Sequence, residues 1–201
     1  CIAALALTAC GGDEEAPASG APTVTVTETA EAAEAPTAPE QQELTAAQIS
    51  AALPREEDMP SGYAEHPDGF DADSTSERSA DPESCMALYM STEEMRTFSK
   101  EHSTQGEGVR YQRQQQKGYA PSIVVAVWTF DEPYPAKFFD QAGSALAECA
   151  TYDTRFEPEA NSVRNAATAI PTPTVGDQSF GVRLGDPQMD LGVDYLWVRS
   201  G

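Results

Sequence analysis

The chain has 201 residues, with 33 acidic side chains against 12 basic ones and a formal net charge of −21. That excess repels nucleic acid and anionic membrane surfaces, and no apolar run reaches the roughly 20 residues a membrane-crossing helix needs. The length suits one domain with accessories, yet no Lys or Arg precedes Arg55 and no aromatic precedes Tyr63, so the N-terminal quarter differs in kind from the rest.

The sequence opens at Cys1 rather than at a methionine, as a piece of a longer encoded chain would. Ile2 to Leu7 have the character of the end of a signal-peptide apolar core. Leu7-Thr8-Ala9-Cys10 then resembles the lipobox of bacterial lipoproteins: Leu, a small residue, Gly or Ala, and Cys. A signal peptidase needs small residues before its cut, and the cysteine thiol takes a diacylglycerol before its freed amine accepts a further acyl chain. Two or three chains, at about 0.8 kcal/mol per buried methylene, give stable anchoring. The expectation is a lipid at Cys10 and an outward-facing, membrane-anchored protein, with an ordinary secretory signal as the alternative.

Gly11 to Glu43 is rich in Ala, Pro, Thr and Glu. Val24 and Val26 alternate briefly with Thr, but there is too little apolar surface to offset the entropy of ordering. Repeated prolines and like charges predict an extended, disordered tether. A recognition motif for a partner is the other reading of this stretch.

Order is predicted from Leu44. Thr45 and Gln48 have capping-box spacing and Leu44 with Ile49 that of a hydrophobic staple, so a short helix runs to about Ala52 and stops at Pro54. Arg55 to Ser84 is expected to be mostly acidic loop. Asp81 and Pro82 suit the N-cap and first turn of a short helix carrying Cys85, Leu88 and Tyr89. A second short helix is expected over Ser91 to Lys100, capped by Ser91 with Glu94. Val109–Lys117 and Ser122–Phe130 follow as two strands. "SIVVAVWTF" is apolar on both faces, which predicts a mid-sheet strand covered on both sides. "VRYQRQQQK" is polar and basic, which predicts an edge or a wet face.

Pro135 to Ala150 has helical periodicity, with Phe138, Ala142, Leu146 and Cys149 on one stripe facing the sheet. Further strands are expected near 151–156, 163–170, 179–184 and 193–199. Helices beside a mainly antiparallel sheet make the domain, residues 44–201, α+β.

Of four cysteines, Cys1 falls in the signal and Cys10 would carry lipid. Cys85 and Cys149 remain, an even pair in an oxidising setting, which predicts a disulfide. Two buried free thiols are the alternative. No CxxC is present and neither histidine is near a cysteine in sequence, so catalytic and metal-binding roles are not expected of them.

Several dispersed segments carry a resemblance. "MPSGY" (Met59–Tyr63), "DPESC" (Asp81–Cys85), the run from Val124 through Cys149 to Tyr152, "VGDQSFGVRL" (Val175–Leu184) and "YLWVRSG" (Tyr195–Gly201) occur in the order found in one family. That order resembles the extracellular sensor-domain family of actinobacteria, seen as the outer part of some mycobacterial receptor serine/threonine kinases and as stand-alone lipoproteins. The resemblance implies a cleft-bearing, non-enzymatic sensor or ligand-binding domain, without naming its ligand. Family members continue with a partner strand and a closing helix, so the sheet is expected to lack its last strand here. Kinase-linked members often hold two disulfides, and only one can be drawn in this chain.

For catalysis, "GDQSFG" departs from G-x-S-x-G, and His66 and His102 are the only imidazoles. Both are expected to be surface residues. Asp68, Asp71 and Asp73 lack EF-hand spacing and its terminal Glu, so a solvated loop is preferred to a cation site. Arg110, Arg113 and Lys117, flanked by Tyr111 and Tyr119, either defend an edge strand or hold an anionic ligand at a cleft. Trp128 and Trp197 are expected in the core. The functional expectation is a lipid-anchored sensor or ligand-binding lipoprotein, a monomer without a cofactor, taking a lipid, a glycan or an envelope protein. The alternative is a structural or protein-interaction lipoprotein, and more remotely a hydrolase around Ser144 or Ser179.

Overall fold

A computed structural model describes residues 43–71, 77–114, 120–156, 161–188 and 191–201. Cys1, Cys10, residues 11–42 of the expected tether, Asp73, Lys117 and Tyr119 lie outside them. In chain order come α1 (Ala46–Ala52), a 3-10 turn (Glu56–Asp58), β1 (Tyr63–Glu65), β2 (Arg78–Asp81) and a 3-10 helix (Glu83–Tyr89). Then follow α2 (Glu93–His102), β3 (Ser103–Arg113), β4 (Ser122–Phe130), α3 (Ala136–Glu148), β5 (Thr151–Phe156), β6 (Ser162–Ala169), β7 (Gln178–Asp186) and β8 (Leu191–Arg199). Among the described residues all strand pairings are antiparallel, so the class is α+β as expected.

The strands form two sheets rather than the single sheet expected, ordered β1-β3-β4 and β2-β5-β6-β7-β8. The smaller sheet reverses the sequence reading of its two long strands. Polar β3 is central and apolar β4 is at the rim, with Trp128 exposed rather than in the core. The polar strand tolerates the middle because α1 packs on one of its faces, where Ile49 and Tyr111 are buried. The Tyr111 hydroxyl donates to the Pro54 carbonyl at 2.8 Å, which satisfies the polar atom buried with its ring. On the opposite face Gly108 leaves no room for a side chain, since a Cβ there would stand 2.5 Å from the Phe70 ring. Phe70 in turn meets Trp128 edge to face at 5.9 Å between centroids. The loop Arg55–Ser84 is thus not mere acidic coil: it supplies Phe70, β1 and β2.

The larger sheet carries the main core on one face. Cys85 and Leu88 of the 3-10 helix, Phe138 and Ala142 of α3, and Val182 and Leu184 of β7 are all buried there. Phe138, Ala142 and Cys149 are buried and Leu146 packs beside them, so the predicted helical stripe faces inward. On the other face, registered pairs place Asp153 beside Arg164 and Arg183 beside Asp194. The Arg183 guanidinium holds the Asp194 carboxyl below the usual carboxylate range.

Local chemistry explains most boundaries. Thr45 and Gln48 close the expected capping box, with the Thr45 N–H donating to Gln48 Oε1 at 2.9 Å. α2 starts one residue later than expected because Thr92, not Ser91, accepts from the Met95 N–H. Asp81 belongs to β2, and Pro82 caps the 3-10 helix. In the "VGDQSFG" turn Gly176 has φ +64 and lies against the Arg199 carbonyl, which accepts from the Asp177 N–H at 2.7 Å. That contact latches the turn to the end of β8. Among the described residues no helix is long and apolar enough to cross a membrane.

Candidate functional site

The Cys85–Cys149 disulfide ties the 3-10 helix to the C-cap of α3, across 64 residues of chain. The expected staple is therefore present, and it fixes how those two helices meet. Where they run together the facing side chains are small: Ala87, Ser84, Ser144 and Ala145. Small residues there leave an open groove of about 910 Å³, completed by the first turn of α2.

Its rim is acidic. Glu83, Glu93, Glu94, Asp140 and Glu148 stand around it, against Lys137 as the one cation lining it. Lys137 pairs with Glu94, and Gln141 donates to the same carboxylate at 3.4 Å. These donors hold the Glu94 carboxyl below its ordinary range. Ser84 donates to Glu148 at 3.4 Å across the groove. The floor is apolar while the rim carries five carboxylates and one ammonium, so the arrangement attracts cations with hydrocarbon stems. Half of it is legible in the sequence: Lys137, Asp140, Gln141, Ser144 and Glu148 recur at helical spacing on the face of α3 opposite its buried stripe. That Glu83 and Glu93 face them follows only from the packing.

A smaller cleft of about 370 Å³ lies where the end of α1 meets β3, lined by Arg55, Glu56, Glu65, Glu107 and Tyr111. Burial, then the nearby Glu65, Glu56 and Asp58, push the Tyr111 hydroxyl pKa up.

Of the predicted cationic triad only Arg110 and Arg113 lie among the described residues. Arg110 and Arg113 are three apart on one strand and so point to opposite faces of the sheet, while Lys117 lies outside the described residues. The Arg110 Nε is buried with no hydrogen-bond partner among the described residues, and Arg113 is exposed. The histidines are not simple surface residues either. His66 Nδ1 accepts from the Asp68 N–H at 3.2 Å, and His102 stacks on Phe98 while its Nδ1 meets Asp131 at 2.9 Å. Among the described residues no cluster of His, Cys, Asp or Glu is arranged to hold a metal ion. The Ser144 and Ser179 hydroxyls each donate to a main-chain carbonyl, of Asp140 and Pro173, at 2.8 Å. Among the described residues neither hydroxyl hydrogen-bonds a side-chain base.

Beside the groove's disulfide wall, the inner face of the larger sheet holds an aromatic cluster that sequence reading missed. Tyr89 meets Tyr152 and Tyr195 edge to face, and Tyr195 stacks on Trp197 at 6.0 Å. The Arg78 guanidinium lies 4.2 Å from the Tyr89 ring centroid and 4.7 Å from that of Phe156. The Tyr89 and Tyr152 hydroxyls are 2.6 Å apart, and burial pushes the pKa of both upward. This cluster fills space rather than opening a pocket. It supports the 3-10 helix from below and so steadies one wall of the groove. No protein family, curated protein or solved structure matches the chain.

Proposed function

We propose that the chain is an extracytoplasmic binding module, held to the membrane through lipid on Cys10, whose groove takes a basic segment of an envelope protein. The observation that carries this reading is the apolar floor and acidic rim between two helices joined by a disulfide. Lysine or arginine stems would lie along the apolar lining of the groove while their charged heads reach Glu93 and Asp140. The anchor rests on the Leu7-Thr8-Ala9-Cys10 box, and recognition rather than turnover fits the resemblance to receptor sensor domains. An anionic ligand is disfavoured by the separation of Arg110 from Arg113 and by the sign of the groove. Both points favour the protein-interaction alternative expected from sequence.

The test uses the full chain carrying Cys10→Ser, titrated with a labelled peptide of alternating Lys and Ala. Neutralising Glu93 and Asp140 together (Glu93→Gln, Asp140→Asn) should weaken binding by about tenfold or more, the scale of two lost charge-assisted contacts. Ser144→Trp, which fills the groove, should do the same without touching charge. Neutralising Glu65 and Glu77 should change little, because neither lines the groove. Equal losses from both pairs, or no saturable binding, would mean only diffuse attraction to an acidic chain and would reject the groove.

A further inference from the structure

β4 ends its sheet, with no strand beyond it among the described residues. One contact sets which of its main-chain groups are turned outward. The Arg113 N–H donates to the Pro121 carbonyl at 2.9 Å, and the register continues with Tyr111 opposite Ile123 and Val109 opposite Val125. Antiparallel ladders alternate, so Ile123, Val125 and Val127 address β3. Ser122, Val124, Ala126 and Trp128 therefore direct their N–H and C=O groups along the open rim. The rim itself is in solvent, with Val124 51% and Trp128 38% exposed.

Such edges are normally blunted by charge or proline. From Ser122 to Phe130 this one has neither, in a chain of net charge −21. An acidic molecule repels its own copies over most of its surface, and here it presents a nine-residue uncharged rim. The charges flanking that rim are complementary end to end: Arg113 lies at the Ser122 end, and Asp131 with Glu132 at the Phe130 end.

We infer that β4 pairs antiparallel with β4 of a second copy, about a two-fold axis at Ala126. Two three-stranded sheets then become one continuous sheet. The antiparallel sense sets Arg113 of each copy near Asp131 and Glu132 of the other, whereas parallel pairing would bring like charges together. It also places Val124 opposite Trp128 of the second copy, a favourable β-branched and aromatic cross-strand pair. A two-fold contact of this kind closes on itself and stops at a dimer. On this proposal the chain is a dimer, where a monomer was expected. β8 is the competing rim, with Leu196 51% exposed, but it carries Asp194 and Arg199.

Sedimentation velocity on the full chain carrying Cys10→Ser, so that lipid does not drive assembly, reads the result. A concentration-dependent dimer is expected, and added salt should strengthen it by screening the net charge. Val124→Lys, at an exposed site, should raise the dimer dissociation constant by about tenfold or more, while Leu196→Lys on β8 leaves it unchanged. Ala126→Cys gives a second readout. Hydrogen-bonded opposed residues hold their Cα atoms at roughly 5.5 Å, so a short bifunctional thiol reagent should link the two introduced thiols across the two-fold. A monomer at every concentration overturns the proposal, and so does a dimer that Leu196→Lys breaks and Val124→Lys spares. Failure of Ala126→Cys to cross-link a dimer rejects this register.

Discussion

Tyr134, Tyr152 and Tyr89 show how far burial alone alters a residue. Tyr134 is pushed up to about 12 by loss of solvent, and the other two are raised chiefly by the same cause. A raised folded-state pKa contributes stability that is complete below the unfolded value, about 10 for tyrosine, and lost as pH climbs through the folded value. The domain should therefore lose stability as pH rises from about 10 towards 12. Ultraviolet titration should show these three tyrosines ionising later in the native chain than in denaturant. Coincident native and denatured titrations would contradict their burial. Also at this scale, opposition of Arg110 and Arg113 could be read from their spacing by simple parity. Burial of the Arg110 Nε could not, since it depends on residues brought in from elsewhere.

At the scale of elements, the Cys85–Cys149 bridge connects two helices whose contact also makes the groove. Closing a loop of 64 residues' separation is worth about 4 kcal/mol in the chain-entropy treatment. Replacing both cysteines by serine should cost stability of that order in denaturant unfolding. It should also weaken the Lys/Ala peptide beyond what the folded fraction explains, because the groove wall loosens. Binding that tracks the folded fraction alone would show that packing, through Leu88, Phe138 and the aromatic cluster, is enough to hold the wall. The elements themselves were largely legible: the capping box at Thr45, the stripe on α3, and strands at 122–130 and 151–156 needed only local pattern. β1 and β2 were not, because strands of three and four residues exist through their partners β3 and β5.

At the scale of the whole molecule, the net charge of −21 and the acidic rim act together. On the proposed function, diffuse attraction would bring a basic segment near and the groove would select it. Binding should fall with added salt. It should fall again as pH drops through the carboxylate range near 4, where Lys137 holds the Glu94 carboxyl below its ordinary range. Attachment is a separate matter, which the proposal assigns to the Leu7-Thr8-Ala9-Cys10 box. Cys10→Ser expressed in a lipoprotein-processing host should move the protein from the membrane fraction to the medium, read by fractionation and immunoblot. Retention at the membrane would exclude lipid on Cys10 as the anchor.

By itself the sequence determined the α+β class, the main helix and its buried stripe, and the pairing of the cysteines left after Cys1 and Cys10 were set aside. Each depends on side-chain periodicity, capping or cysteine number, all of which are local or countable. Only the tertiary structure decided that there are two sheets and that β3 is central while β4 is at the rim. The physical reason is that alternation reports the two faces of a strand, above and below the sheet. Neighbours within a sheet meet through main-chain groups in its plane, about which side-chain pattern is silent. "SIVVAVWTF" is apolar on both sides and still ends its sheet, leaving an uncharged rim whose pairing can now be tested.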